Sequence, residues 1–353
     1  EVLVVRSTKV NADTIAAGSS LGLIIRAGAG VNTIDLDAAG RHGIYVANCP
    51  GKNTSAVAEL TIGLLVAADR RIVDAAMDMK QGSWRKKLYG QSRGLNGRTL
   101  AILGAGSIGR AVAIRARAMG MRVVLWSRSL TPEAAHQLGC DYAATPVEAA
   151  RQADALSVHL ALTDETRHFV GEQVLSALRN GAIFINTSRG EIVDTAALKR
   201  AIDHSGLKVG LDVYENEPAS GEGEFEDLEL TSDIIATPHI AASTDEASEA
   251  IAAEVVRIIT AYRESGMPPV AVNVRTKPED SPVLVVRHFN RVGVLASVLG
   301  TLRAAGINIE DMRNTIFEPA EAAIASIRLD AAPSASVMDE LRGIEHVIQI
   351  MIA

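Results

Sequence analysis

The sequence predicts an α/β protein: two series of parallel βαβ units, then a compact α+β module. Three observations carry that prediction. Short apolar runs alternate with helical stretches from residue 1 to residue 264, the pattern of parallel sheets covered by helices. A glycine-rich turn, "LGAGSIGR", stands between a strand pattern and a helix pattern. Residues 283–353 then read strand, helix, strand, strand, helix, strand.

The first series runs "VLVV", a helix over 11–19, "LGLIIRA", a helix over 33–42 and "IYVANCP". One long helix is predicted over 54–81, closed by Gly82. The second series has six strands, "TLAILG", "RVVLWS", "ALSVHL", "AIFINTS", "VGLDVY" and "DIIATP", which suit a doubly wound nucleotide-binding sheet. A helix over 243–264 follows, and then "GMPPVAVNVRTKPEDSP", whose proline and charge mark a linker. The last module places strands at "VLVVRH", "INIEDMRNTI", "AAIASIRLD" and "VIQIMI", with helices over 293–305 and 334–342. The chain begins at Glu1 inside a strand pattern, so a preceding piece of the first domain is expected to be missing.

At 353 residues the chain is long enough for two or three domains. With 48% hydrophobic and 22% charged residues it reads as a soluble globular protein. A net charge of -7 argues against nucleic acid or an anionic membrane as the main partner. Cys49 and Cys140 are far apart, without CxxC spacing, so a reducing, cytoplasmic setting is expected, with no disulfide framework and no metal site. The most apolar run, "LTIGLLVAA" at 60–68, is too short to span a bilayer.

Gly104, Gly106 and Gly109 have the G-x-G-x-x-G spacing. The first permits a tight turn, the second lets the backbone approach a pyrophosphate, and the third lets helix and strand pack closely. The helix N-terminus adds free N–H groups and positive charge for the phosphates. NAD-binding turns of this kind place an acid at the end of the next strand. Here that position falls on Ser127, followed by Arg128. Hydroxyls and a guanidinium suit a 2′-phosphate, which points to NADP(H). The alternative is that Arg128 faces solvent and the site takes NAD(H) with little discrimination.

Arg189, Glu217 and His239 follow three strands of the second series, where ligands of such sheets bind. An arginine can hold a carboxylate and polarise a carbonyl, a histidine can move an alcohol proton, and a glutamate can orient the imidazole. This is chemistry for a 2-hydroxy or 2-oxo acid. Singly, each residue also reads as a surface group, and His159 likewise ends a strand. Arg6 and Arg26 end strands of the first series, and "AGAG" at 27–30 offers backbone N–H groups to a carboxylate. "WRKK" adds Arg85, Lys86 and Lys87, either to the field around the substrate or to a solvated surface patch.

Over residues 1–275 the sequence resembles the D-2-hydroxyacid dehydrogenase family, through "RAGAGVNTIDLDAA", "NTSAVAELTIGLL", "GRTLAILGAGSIGR", "NTSRGEIVDTAAL", "LDVYENEP" and "TPHIAAST". Within it, "VVRSTKV", "RAGAGVN", "GSWRKKLYG" and the small last module resemble the 3-phosphoglycerate dehydrogenase branch. The resemblance implies two Rossmann-like domains. A discontinuous substrate domain, 1–95 and 242–275, encloses a nucleotide domain, 96–241, and a linker at 276–282 leads to the module at 283–353. It implies that Arg189 holds the substrate, His239 is the acid/base and Glu217 its partner. Further cofactor contacts would come from Ala29, Ser107, Ile108, Leu160, Thr187, Ser188, Asp212, Ala241 and Ala242. Substrate contacts would come from Arg6, Arg26, Ala27, Gly28, Gly30 and Asn53. The substrate would be a phosphorylated hydroxy acid and the assembly a homodimer or homotetramer.

"VLVVRHFNRVGVLASVLGTLRAAGINIEDM" resembles an ACT domain, with Gly293 opening its first helix and Val292 where proline is common. In serine-sensitive members a histidine and two asparagines bind the effector across a paired interface. His288, Asn290 and Asn308 occupy those positions, which implies an L-serine site. The alternative is a module that only assembles the chain. Two other functions stay open: an NADPH-dependent glyoxylate or hydroxypyruvate reductase, and a non-enzymatic NAD(P)-sensing protein of the corepressor type.

Overall fold

The computed structural model describes residues 1–218, 223–232, 234–275 and 280–353. The chain divides into two compact units, Glu1–Asn273 and Val274–Ala353. Four residues of the expected linker, 276–279, lie outside the described residues.

Among the described residues the first unit holds two parallel sheets. The smaller consists of β1 (Val2–Val5), β2 (Leu23–Arg26) and β3 (Tyr45–Asn48), in that order. Helices α1 (Ala12–Ala17) and α2 (Leu36–Arg41) connect them, started by the side chains of Asn11 and Asp35, which accept from Thr14 N and Ala38 N. Alternation sends Ile24 and Val46 against Ile15, Ala38 and Ala39 on one face. Leu23, Ile25 and Ala47 meet Ile251 and Ile258 on the other.

The predicted helix over 54–81 is two helices, α3 (Thr54–Arg70) and α4 (Ile72–Lys80). Arg71 between them has φ 52, a left-handed conformation that ends one helix and starts the next. A third, α5 (Lys86–Tyr89), carries Lys86 and Lys87 of "WRKK", and Arg85 at its N-cap pairs with Asp78 at 3.3 Å.

The larger sheet contains β4 (Thr99–Leu103), β5 (Arg122–Trp126), β6 (Asp141–Tyr142), β7 (Ala155–Val158), β8 (Ile183–Asn186), β9 (Lys208–Leu211) and β10 (Ile235–Ala236). Its order is β10-β9-β8-β7-β4-β5-β6, seven strands where six were predicted. The extra strand, β6, spans two residues, too few for any periodicity. Helices α6 (Ser107–Ala118), α7 (Pro132–Gln137), α8 (Pro146–Gln152), α9 (Glu172–Leu175), α10 (Thr195–Ser205) and α11 (Leu228–Ser232) connect the strands. One face packs Leu103, Val158 and Phe184 against Ala149, Val174 and Leu198. The other packs Leu100, Ile102 and Ile185 against Leu64 and Leu65 of α3 and Val112 of α6. Each such fully buried side chain contributes about 1.5–3 kcal/mol. Strand order reverses between β7 and β4, and a ligand crevice forms at the carboxyl ends beside such a reversal. The long α12 (Asp245–Ser265) closes the unit, with Glu254 held by Lys52 and Arg257.

The second unit has the antiparallel order β12-β13-β11-β14, formed by β11 (Val283–Phe289), β12 (Ile309–Ile316), β13 (Ala322–Leu329) and β14 (Val347–Ile352). Helices α13 (Val294–Ala304) and α14 (Ala335–Arg342) cover one face, burying Val298, Leu302 and Leu341 on Leu284, Val286 and Ile327.

Candidate active site

The glycine turn has the geometry its spacing requires. Gly104 has φ 110, and a Cβ there would lie 2.3 Å from the His159 carbonyl oxygen. A Cβ at Gly109 would lie 1.9 Å from the Gly104 oxygen, whereas one at Gly106 would meet nothing within 4 Å. Gly106 caps α6 without a side-chain bond, and no acid stands in the first turn. Bare N–H groups, an exposed Ser107 and open space over Gly106 fit a dinucleotide pyrophosphate. At the end of β5, Trp126 stacks on Phe169 with ring centroids 5.1 Å apart. Ser127 and Arg128 follow in the turn, Arg128 exposed. A carboxylate neighbours them: Glu165 is held below the usual range by the Thr163 hydroxyl first, its own backbone N–H and the Arg128 charge.

Arg189 follows β8 in a turn organised by Asn186. The buried Asn186 donates to the Arg189 carbonyl oxygen at 2.9 Å and accepts from Ser188 N at 3.0 Å and Ser188 Oγ at 2.7 Å. Thr187 Oγ1 lies 2.8 Å from Thr61 Oγ1 of α3. Sequence reasoning missed Asn186 and Thr61, because an apolar strand and an apolar helix hide single polar residues.

The "AGAG" loop follows β2. Asn48 Nδ2 donates to the Ala29 oxygen at 2.6 Å, Cys49 N to the Gly28 oxygen at 2.9 Å, and Ala27 N to the Val5 oxygen at 2.7 Å. The Arg26 guanidinium lies over Gly28, and that of Arg189 over Gly30. Burial, then the charges of Arg189 and Arg6, lower the Arg26 pKa. Arg6, Arg26 and Arg189 thus gather at one loop. Among the described residues none of them has an ion-pair partner. Asn53 caps α3 without a side-chain cap bond.

Glu217 and His239 meet: His239 Nδ1 lies 2.7 Å from Glu217 Oε2, and Tyr214 N donates to Glu217 Oε1 at 3.1 Å. Burial raises the Glu217 carboxyl, but the His239 ring, the Tyr214 N–H and the Arg189 charge outweigh it and hold it below the usual range. Nδ1 is therefore occupied, and Nε2 is the atom left to exchange a proton with a ligand. Asp212 is fully buried, and its oxygens accept from Thr237 Oγ1, Ile240 N and Ala241 N. Ala242 follows, half-buried.

His159, the rival acid/base by sequence, is excluded by its surroundings. Its Nε2 lies 2.8 Å from Ser157 Oγ, and burial lowers its pKa to about 3. It is a neutral side chain behind the glycine turn, and Leu160 after it packs on the core. A second His–Glu pair was not foreseen: His168 Nε2 lies 2.5 Å from Glu215 Oε1, joining the loop after β7 to the loop after β9.

In the second unit His288 is buried, its Nδ1 2.8 Å from the Phe289 oxygen and its Nε2 3.4 Å from Asn314 Oδ1. Asn290 Nδ2 donates to the Ala320 oxygen at 3.0 Å. Asn308 lies at the other end of the sheet, its N–H bonded to Asp330. His288 pairs with Ala323 and Ile309 with Leu329, so Asn308 stands about 20 Å from the other two at ~3.3 Å per residue. One module does not bring the three together.

Comparison with known proteins agrees with this architecture. The family model described as "D-isomer specific 2-hydroxyacid dehydrogenase, NAD binding domain" matches residues 62–241, and the ACT domain model matches residues 283–346. The glyoxylate reductase of Thermococcus litoralis is 38% identical over 272 residues, 75% of this chain and 81% of that protein. The D-3-phosphoglycerate dehydrogenase of Methanocaldococcus jannaschii is 36% identical over 304 residues, 86% of this chain but 56% of that longer protein. The crystal structure of D-lactate dehydrogenase from Aquifex aeolicus, complexed with NAD and lactic acid, superposes with a TM-score of 0.67 at 31% identity, over 75% of this chain and 83% of that one. The chain belongs to the D-isomer specific 2-hydroxyacid dehydrogenase family and carries its NAD-binding domain, followed by an ACT domain.

Proposed function

We propose that the protein oxidises 3-phosphoglycerate to 3-phosphohydroxypyruvate with a nicotinamide cofactor, the first step of phosphorylated L-serine biosynthesis. The observation that carries this reading is the cluster of Arg6, Arg26 and Arg189 at the "AGAG" loop. One guanidinium suffices for a carboxylate; two more suit a substrate with a phosphate as well. His239 takes the hydroxyl proton at Nε2, and Glu217 stabilises the imidazolium so formed. Arg189 holds the substrate carboxylate and the Gly30 amide supports it; the Ala27 and Gly28 amides of the same loop are spent on the Val5 and Arg26 oxygens. The bound nicotinamide supplies the hydride acceptor. Ser127 and Arg128 support use of NADP(H) beside NAD(H), against the neighbouring Glu165.

A second reading, glyoxylate or hydroxypyruvate reduction, is favoured by the 38% identity to the Thermococcus litoralis enzyme, which covers more of that protein than of the phosphoglycerate dehydrogenase relative. One assay matrix separates the two: 3-phosphoglycerate, 3-phosphohydroxypyruvate, hydroxypyruvate and glyoxylate, each with both cofactors. A kcat/KM at least ~10²-fold higher for the phosphorylated acids is expected. Equal or better turnover of glyoxylate rejects the first reading.

The working assembly is at least a homodimer. Ile72, Val73, Met77, Met79, Trp84 and Leu88 leave an apolar surface on α4, α5 and the turn between them, the kind of patch a second copy covers. In the ACT domain, antiparallel pairing of two β12 edges would carry the partner subunit's Asn308 to the sheet end with His288 and Asn290, giving L-serine a two-copy site. Titrating L-serine against activity tests it; no change up to millimolar concentration leaves the module an assembly role.

A further inference from the structure

We propose that His168 and Glu215 are a positioning pair for Glu217: they clamp the turn after β9 from its outer side and so set where the Glu217 carboxylate meets His239. The inference rests on the reading of His239 and Glu217 as the acid/base pair. His168 stands in the loop after β7 with φ 53, in the left-handed region that residues with a side chain rarely enter. Neighbours hold it there. Its N–H donates to the Glu191 oxygen at 2.8 Å, and Val170 N donates to the Ile192 oxygen at 3.0 Å. The loop is thereby tied to the segment that follows Arg189. Backbone strain kept in a loop at the rim of a site points to function.

Glu215 is the centre of the clamp. Its Oε1 lies 2.5 Å from His168 Nε2, and its Oε2 accepts from the N–H of Thr195, the first residue of α10, at 3.3 Å. Its backbone is pinned as well. A Cβ on Gly190 would lie 1.9 Å from the Tyr214 carbonyl carbon and 2.4 Å from Glu215 N, so only a glycine after Arg189 lets the two turns touch. Tyr214 N then donates to Glu217 Oε1 at 3.1 Å, while Glu217 Oε2 lies 2.7 Å from His239 Nδ1. The loops after β7, β8 and β9 thus meet on Glu215, beside the carboxylate that holds the imidazole. The exposure of the pair favours this role over a stabilising one. The side chains are 51% and 24% exposed, and an ion pair so open to water adds little to folding. A shift of Glu217 by about an ångström, by contrast, would stretch its 2.7 Å bond to His239 beyond hydrogen-bonding length.

His168→Ala removes the ring, whereas His168→Gln places an amide N–H where Nε2 stands. Both variants keep the same left-handed backbone, so their difference reports the bond to Glu215. The assay uses whichever of the four acids of the matrix the wild type turns over best. Expected is a fall in kcat of about tenfold in His168→Ala and in Glu215→Ala. His168→Gln should stay within about twofold of wild type. Thermal unfolding should move by less than about 2 °C in all three. In a Glu217→Ala background, adding Glu215→Ala should lower kcat by less than about twofold more, because the clamp acts through Glu217. Wild-type kcat in both His168→Ala and Glu215→Ala overturns the proposal. So does a further loss of about tenfold in the Glu217→Ala background, or a His168→Gln as damaged as His168→Ala. If His168→Ala fails to fold, Glu215→Ala and the double variant decide. Glu217→Ala read alone separates the two readings. If it retains wild-type turnover, the acid/base assignment and this proposal fall together; if it is crippled while His168→Ala and Glu215→Ala are normal, only this proposal falls.

Discussion

The Arg189 guanidinium occupies the space a side chain at Gly30 would need: a Cβ built there lies 2.3 Å from Nη2. The two residues come from different sheets, so the small sheet's loop sets how far the large sheet's arginine can reach. Gly30→Ala would displace the flexible end of Arg189 rather than any backbone. Fold stability should change by less than about 0.5 kcal/mol, while kcat/KM falls about 10²-fold, mostly through KM. Steady-state kinetics beside thermal unfolding checks this; unchanged kcat/KM would mean Arg189 is not needed in that place.

Glu217 and His239 should behave as one unit. Glu217→Ala and His239→Asn each should lower kcat by about 10²- to 10⁴-fold, and the double variant should be little worse than the more damaged single one. Multiplying losses would indicate independent roles.

Ser127→Asp restores an acid at the end of β5. It should raise the KM for NADPH by roughly 30-fold, by repulsion of the 2′-phosphate, and change that for NADH by less than about threefold. Equal effects on both cofactors would place the adenosine ribose away from Ser127.

His159 gives the fold a pH dependence. Its folded pKa of about 3 lies below the ordinary 6.5, so the unfolded chain takes up the proton first as pH falls. Stability is unaffected above pH 6.5 and is lost on acidification between 6.5 and 3, by up to about 1.4 kcal/mol per pH unit. His159→Gln should remove that slope from urea unfolding curves at pH 7.5, 6 and 5. Parallel slopes in both proteins would show that His159 takes up no extra proton on unfolding.

The sequence made the glycine turn, the ACT strands and the three polar strand ends legible, because each depends on local spacing. Gly104 and Gly109 need only a strand before and a helix after to be recognised. What stayed hidden depends on contacts between distant segments. Arg71 breaks a helix whose apolar pattern runs through it, so periodicity gave no warning. Asn186, Thr61 and the His168–Glu215 pair bind across 3, 126 and 47 residues, or hide inside apolar runs. His159 matched the pattern of a catalytic histidine as well as His239 did; only enclosure beside Ser157 separates them.

The charges of Arg189 and Arg6 act against that of Arg26 beside a loop that also ties the first sheet together. That repulsion opposes folding, and a bound anion cancels it. By linkage, substrate occupancy then adds RT ln(1 + [L]/Kd) to the stability of the chain, about 2.7 kcal/mol at a hundred times Kd. If the proposed anionic substrate binds at this cluster, the stability of the chain is linked to substrate concentration, and its thermal unfolding shifts upward as the acid is added.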